Sequence, residues 1–486
     1  MIVWSAVLLS CAQFFAGLVL FSFGNDSGLF LSASGLCIAI MLMPVALRVV
    51  SADLFSPLIL AAGSVLLGTG LRIPYILAFD SRRTEFLMFG YEFAELAYYV
   101  VWVLIGIAAF TVGYSVNRSR FSLAQARVLM RPEIDQKRLV VVSVLCGLVG
   151  AVAAIIFITT SGIDLSAGLS SASRKVFQVH TAADGTVVAG AGGIWRFLVK
   201  FADVPLIVVI CLLLIRSVRP SVPTLAAVGL LAVPALLVPF LTSSRSDIIV
   251  VMIAIGIFMY YMKILRIRNI IVGLVLATSI VVVMGQLRAV NMTGSGDGRT
   301  MLDAVIGSGN GMDLMRTSAI MKRVPEEVDF LYGSSYASIL TAYVPRSVWP
   351  GKPDIALGPW VKQEVFGFPV PGNNGWPSGL IAEAYLNFGL LGMPILLFAI
   401  GWFFRLVYNC FLPFLGVNPL MTIVYSAIAW RFGFGTMGLN FAHGMVQTLA
   451  ILVPLLIFMF LISRPVRIHR RHRTAIGPAA VLQAKR

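Results

Sequence analysis

The stretch GLIAEAYLNFGLLGMPILLFAIGWFF, residues 379–404, decides how the rest of the chain is read. It stays apolar for longer than the roughly 20 residues a helix needs to cross a bilayer, and Glu383 is its only charge. Comparable runs fall at 3–23, 28–46, 54–79, 95–116, 139–159, 197–215, 224–241, 248–262, 270–287, 419–434 and 445–462. The runs at 248–262 and 419–434 are the shortest, and the second contains Arg431. The pattern predicts an all-α polytopic integral membrane protein with about 12 transmembrane helices. Composition leads to the same class. Hydrophobic residues make up 59% of the 486 and charged residues 12%, with a mean hydropathy of +0.92, which excludes a soluble globular chain.

The net charge of +16 raises the question of a polyanionic partner, and its distribution answers it. With both termini on the cytoplasmic side, that side receives Arg48, the six basic residues of 117–138, Arg216, Arg219, Lys263, Arg266, Arg268, Arg405 and the tail from Arg464. These amount to 20 basic residues against three acids, Asp53, Glu133 and Asp135, and leave 17 basic and 18 acidic residues elsewhere. Such an asymmetry is an orientation signal of the positive-inside kind and not a nucleic-acid face. The tail is also placed to touch anionic lipid headgroups.

The chain divides into spans one to nine (1–287), an outer loop (288–378), spans ten to twelve (379–463) and a basic tail (464–486). The first span has no small-residue cleavage site behind it and is read as a retained helix. A loop of this length carries function or disorder, and Trp349, Trp360 and Trp376 favour order. Met312, Met315 and Ile320, and then Tyr336, Ile339 and Leu340, predict short helices lying against the membrane surface. A second outer loop, 160–195, is rich in Gly, Ser and Ala. The five cysteines lie in or beside apolar runs and indicate no disulfide framework. The four histidines have no metal-ligand spacing. No internal repeat is evident, which argues against an inverted-repeat transporter.

Basic residues on the outer side work against the orientation signal, so each requires another reason. They are Arg72, Arg245, Arg288, Arg346, Lys352 and Arg431. Arg245 sits in SSRSD, 243–247, where it either faces an anion or pairs with Asp247 at a helix start. Arg431 lies within an apolar run, and Glu383 is its expected counter-charge. In VPRSVWPGKP, 344–353, prolines stiffen the backbone that projects Arg346 and Lys352. An arginine fork suits two phosphate oxygens and a lysine supplies a compact charge. GNNG, 372–375, is read as a turn, with hydrogen bonding to sugar hydroxyls as the alternative. Asp26, in the first outer turn, is read as a helix cap.

These pieces occur in a recognisable order. Ser244-Arg245, then Pro345-Arg346 with Trp349-Pro350 and Lys352-Pro353, then Glu383-Ala384-Tyr385 with Asn387-Phe388-Gly389 and Gly392, together resemble bacterial oligosaccharide repeat-unit polymerases of the Wzy type. The resemblance covers about 242–392; the earlier spans are similar in hydropathy alone. It implies a GT-C-like membrane glycosyltransferase of O-antigen or exopolysaccharide biosynthesis, acting at the periplasmic face of the bacterial inner membrane without a metal or cofactor. Its substrates would be undecaprenyl-diphosphate-linked glycans, the growing chain as donor and a single repeat unit as acceptor. A chain-length co-polymerase and a flippase are the implied partners. Glu383, or failing that Asp354, would take the acceptor proton. Arg245, Arg346 and Lys352 would bind the diphosphate, supported by Arg288 and Arg431, in keeping with the absence of an acidic D-x-D pair. The alternatives are a lipid-linked oligosaccharide flippase or transporter, and an O-antigen ligase.

The charge partition predicts a topology. A cysteine introduced at Ala126 is expected to react only from the cytoplasmic side and one at Gly358 only from the outer side; the reverse labelling overturns the orientation.

Overall fold

A bilayer offers no water to satisfy backbone polar groups, so a chain this apolar has to close its hydrogen bonds within helices. A computed structural model describes residues 2–79, 91, 93–119, 133–160, 179–181, 187–189, 192–242, 244–266, 268–273, 275–277, 279–280, 283, 306, 311–342, 344, 349, 357–368 and 375–464. The helices are α1 (Ile2–Ser22), α2 (Ser27–Ala46), α3 (Pro57–Val65), α4 (Arg72–Ala78), α5 (Phe93–Val116), α6 (Gln136–Thr160), α7 (Gly192–Leu214) and α8 (Val222–Leu241). They continue with α9 (Arg245–Tyr261), α10 (Leu314–Arg323), α11 (Ser334–Thr341), α12 (Leu357–Trp360), α13 (Gly379–Phe411), α14 (Pro419–Trp430), α15 (Thr436–Gly438) and α16 (Phe441–Ile462). Strands β1 (Glu133–Ile134), β2 (Val179–Thr181), β3 (Val187–Ala189) and β4 (Ser463–Arg464) form two short antiparallel ladders, β1 with β4 and β2 with β3.

Among the described residues nine helices are long and apolar enough to cross a membrane, with α3 and α4 joined through a wide π turn at Leu66–Gly70 and counted as one. The chain is a multi-pass membrane protein. Among the described residues the other three expected spans appear as shorter helices. One is Ser246–Tyr261 within α9, and another is the helical stretch Arg268–Ala277. The third, α14, gives way to a π turn at Arg431–Gly435.

Two apolar cores organise the bundle. The first joins α2, α3, α5, α10 and the start of α13, with Phe30, Leu58, Ile107, Ile320 and Leu386 buried. The second joins α7, α8, α9, α14 and α16 around Val208, Leu231, Phe258, Ile423 and Leu455. Within the first core Phe404 of α13 stacks on Phe432, ring centroids 4.0 Å apart. Close approach of α5 and α13 depends on glycine on both sides. A Cβ at Gly113 would overlap the Phe398 carbonyl, and one at Gly401 the Phe110 carbonyl. Small residues let helix backbones touch in this way where lipid supplies no hydrophobic drive.

Pairing of Glu133 with Arg464 places the segment before α6 beside the end of α16. At the same tail end, Tyr261 and Tyr408 both donate to Asp53. Arg48, Arg216 and Lys263, just past α2, α7 and α9, take left-handed φ values of 59°, 56° and 58°. Each closes its helix in a Schellman arrangement, in which the next N–H reaches back to Pro44 O, Leu212 O or Met259 O.

One loop helix, α10, differs from the surface-lying helix expected. α10 is inserted into the bundle, and Met312, Met315 and Ile320 are all at most 3% exposed. The reason is the π turn at Leu66–Gly70. Thr69 Oγ1 donates to Met312 O at 2.6 Å, Leu314 N donates to Thr69 Oγ1 at 3.2 Å, and Met312 N donates to Ser64 O at 3.2 Å. Residues 312–314 thus complete an interrupted helix. α11 buries Ser335 and Ser338 and leaves Leu340 86% exposed.

Overpacking the α5–α13 contact is expected to destabilise the bundle. Gly401→Leu should cost about 1–3 kcal/mol or more and lower the melting temperature of the detergent-extracted protein, whereas Gly229→Leu, where a Cβ meets nothing, should leave it unchanged.

Candidate functional site

Opposite the tail end, at what we call the loop end, three buried polar groups are assembled from distant parts of the chain. The first is built on α13. Gly389, at φ 63° and ψ −167°, interrupts this helix, a backbone conformation that glycine adopts readily and bulky residues do not. Leu386 O, freed near the break, accepts from Leu331 N at 2.7 Å, and Asn387 Oδ1 accepts from Gly333 N at 2.9 Å. One turn earlier Glu383 is fully buried. Its carboxylate accepts from Ser335 Oγ at 3.0 Å, Asn440 Nδ2 at 3.2 Å, Ala442 N at 3.4 Å and also Phe441 N. Phe441 and Ala442 open α16, so Glu383 satisfies N–H groups that have no partner within that helix and lies at its positive dipole end. In this arrangement Glu383 anchors a helix.

The second group centres on Asp247, in the first turn of α9. Its Oδ2 accepts from Arg196 Nη2 at 2.8 Å and Ser244 Oγ at 2.7 Å; its Oδ1 accepts from Arg431 Nη2 at 3.0 Å and Lys200 Nζ at 3.4 Å. Lys200 also reaches Asp203 Oδ2 at 2.6 Å, and Arg431 Nη1 donates to Gln447 Oε1 at 3.1 Å. The expected pairing of Arg431 with Glu383 is therefore corrected: Arg431 is neutralised by Asp247 of α9, and Glu383 faces α11 and α16. The reason is the engagement of Glu383 by the start of α16, which leaves the nearer carboxylate of Asp247 to Arg431. The first two turns of α16 link the groups, since Phe441 and Ala442 hold Glu383 while Gln447 holds Arg431.

In the third group Arg72, singled out as an outer cation, pairs with Asp313, the N-cap of α10. Arg316 Nη2 joins the same carboxylate at 3.1 Å, and Arg316 Nη1 donates to Pro377 O at 3.2 Å. Burial alone would raise the Asp313 pKa, but the Arg72 and Arg316 guanidinium groups outweigh it and hold the carboxyl below the usual range.

Of the residues named from sequence, Arg431 and Glu383 stand at the loop end in separate groups. Arg245 is the first residue of α9, two before Asp247, and its side chain lies outside the described residues. Arg288, Arg346, Lys352 and Asp354 also lie outside them. Unnamed beforehand were Arg196, Lys200, Asp203, Ser335 and Asn440. The first three had a readable signal, since charges at i, i+4 and i+7 of an apolar run share one helix face. Among the described residues no group of three or more His, Cys, Asp or Glu could hold a metal ion. The five cysteines are free.

The chain matches no family model, and neither a curated protein nor a solved structure matches it.

The Asp313 group has a pH signature. A carboxyl whose folded pKa lies below its unfolded value of about 3.9 contributes stability that is full above that value and fades as pH falls through the lower one. Asp313→Asn leaves two buried guanidinium groups without this counter-ion and is expected to cost about 3–5 kcal/mol at neutral pH. In thermal melts from pH 7 to 3 the gap to wild type should narrow at the acid end; a constant gap contradicts the assignment.

Proposed function

We propose that this chain polymerises undecaprenyl-diphosphate-linked oligosaccharide repeat units, as a twelve-span GT-C-like glycosyltransferase at the periplasmic face of a bacterial inner membrane. The observation that carries the reading is the convergence of Arg196, Lys200 and Arg431 on one point of the loop end, beside the helix start that bears Arg245. Cations kept in an apolar bundle are costly, and here they gather at the end that also holds Ser244 and Glu383 of the sequence pattern resembling repeat-unit polymerases. Fixed cations are what a reaction with a diphosphate leaving group requires.

The chemistry follows from that placement. An acceptor hydroxyl attacks the anomeric carbon of the donor glycan, a new glycosidic C–O bond forms, and the bond from that carbon to the lipid diphosphate breaks. The electron pair leaves on the diphosphate, which the arginines and lysines stabilise without transferring a proton. The hydroxyl proton goes to a carboxylate. We assign this role to Asp354, because both Glu383 oxygens are engaged in holding α16. Glu383 then acts by fixing the helix that carries Gln447 beside Arg431.

The test is extension of a purified lipid-linked repeat unit by this protein in proteoliposomes, with product length as the readout. Ladders of increasing length support a polymerase; one-step transfer to a lipid A core acceptor identifies a ligase, and translocation without new bonds a flippase. Arg245→Lys and Arg346→Lys, which keep charge but lose the two-pronged fork, should each lower extension roughly 100-fold at unchanged membrane abundance. Glu383→Gln should lower protein stability together with activity, whereas Asp354→Asn should lower activity alone.

A further inference from the structure

Arg405 belongs to the orientation signal of the tail end, but unlike Arg48, Arg216 and Lys263 it lies within a helix, with residues 406–411 of α13 still to follow. From the break at Gly389 to Arg405 the helix rises about 24 Å, most of the thickness of a hydrocarbon core. With the break at the loop end, Arg405 falls at the level of the opposite headgroups. Its guanidinium carbon lies over two rings, 5.3 Å from the centroid of Tyr114 of α5 and 5.5 Å from that of Tyr408. Ring faces attract the charge, yet each N–H still seeks an oxygen. Among the described residues Arg405 has no ion-pair partner, and its Nε is buried without an acceptor. Asp53, the carboxylate that Tyr408 engages, already accepts from the hydroxyls of Tyr261 and Tyr408 and from Phe55 N. Tyr114 is fully buried. Its hydroxyl stands beside Arg405 and Ser56 but completes no hydrogen bond of ordinary geometry among the described residues. Two donors on neighbouring helices are thus left over, where buried donors are normally paired. Alongside them Ile395, Phe398 and Trp402 are exposed, and their helical spacing from Arg405 puts them on its side of α13.

We propose that Arg405 and the Tyr114 hydroxyl bind the phosphate of an anionic phospholipid in the tail-end leaflet, its acyl chains lying along Ile395, Phe398 and Trp402 of α13. The planar guanidinium matches phosphate oxygens, and the hydroxyl adds a donor from α5. Because no carboxylate neutralises Arg405, a headgroup of net negative charge fits better than a zwitterionic one. The apolar stripe selects a phosphate carried on a lipid over a free one. A lipid held there bridges α5 and α13, the two helices whose backbones touch at Gly113 and Gly401. The site is independent of the reaction proposed above.

The experiment follows lipid binding to the delipidated full chain in detergent, since a ligand of the folded state raises its melting temperature. Phosphatidylglycerol should stabilise the wild-type protein, with phosphatidylcholine and inorganic phosphate each binding about tenfold or more weakly. Equal affinity for inorganic phosphate identifies a free-anion site and overturns the lipid; equal affinity for phosphatidylcholine overturns the role of charge. Arg405→Gln should weaken phosphatidylglycerol binding about tenfold or more, Arg405→Lys and Tyr114→Phe should weaken it less, and Arg216→Gln should leave it unchanged. Unaltered binding in folded Arg405→Gln overturns the site. So does an equal loss in Arg216→Gln, which reduces the effect to general attraction by the basic end. A second measurement leaves Arg405 in place and so stands even where its variants fail to fold. The fluorescence that Trp402→Phe removes should be quenched more by phosphatidylglycerol brominated on its acyl chains than by phosphatidylcholine brominated in the same way, and equal quenching overturns the placement.

Discussion

Each interruption of a helix inside an apolar bundle exposes N–H and C=O groups that water cannot reach, and the architecture depends on how these are closed. The π turn at Leu66–Gly70 is completed by the backbone of 312–314. The break at Gly389 is completed by 331–333. The start of α16 is completed by the Glu383 carboxylate. In every case the partner comes from far away in sequence. The 311–342 segment is therefore structural as well as exposed, and the loop end cannot be separated from the transmembrane helices that carry it.

The charges obey the same constraint. Asp247 and Asp313 are carboxylates at helix starts, each next to more than one cation. Their position at a positive dipole end helps a carboxylate, and the surrounding cations offset the desolvation that burial imposes. What differs is exposure. The Arg196 side chain beside Asp247 is 30% exposed, whereas the three side chains of the Arg72–Asp313–Arg316 group, which holds a loop helix in place, are at most 10% exposed.

Much of this was legible in the sequence, for identifiable reasons. Apolar runs locate the long helices because a bilayer imposes both length and composition. Outer cations such as Arg72 and Arg431 stood out because they oppose the charge bias. Pairing was not legible. Glu383 was read as the counter-charge of Arg431 because each is a charge within an apolar run, yet Arg431 meets Asp247 of α9 and Gln447 of α16. Nor does an apolar period distinguish a membrane surface from a bundle interior, which is why the fully packed α10 reads the same as an interfacial helix. The α7 charges at 196, 200 and 203 carried a readable spacing that hydropathy averages hide within an otherwise apolar run.

The three Schellman closures at the tail end place Arg48, Arg216 and Lys263 where glycine is the usual occupant. A left-handed conformation costs a side-chain-bearing residue roughly 1–2 kcal/mol, so these helix ends are less stable than glycine would make them. In return each supplies a cation at a negative dipole end, and in the topology that the charge partition predicts all three add to the orientation signal. Helix-end stability and that signal thus make opposite demands on the same three positions. A variant selected in detergent for thermostability would drift toward glycine at these sites and so weaken the charge asymmetry from which the topology is predicted.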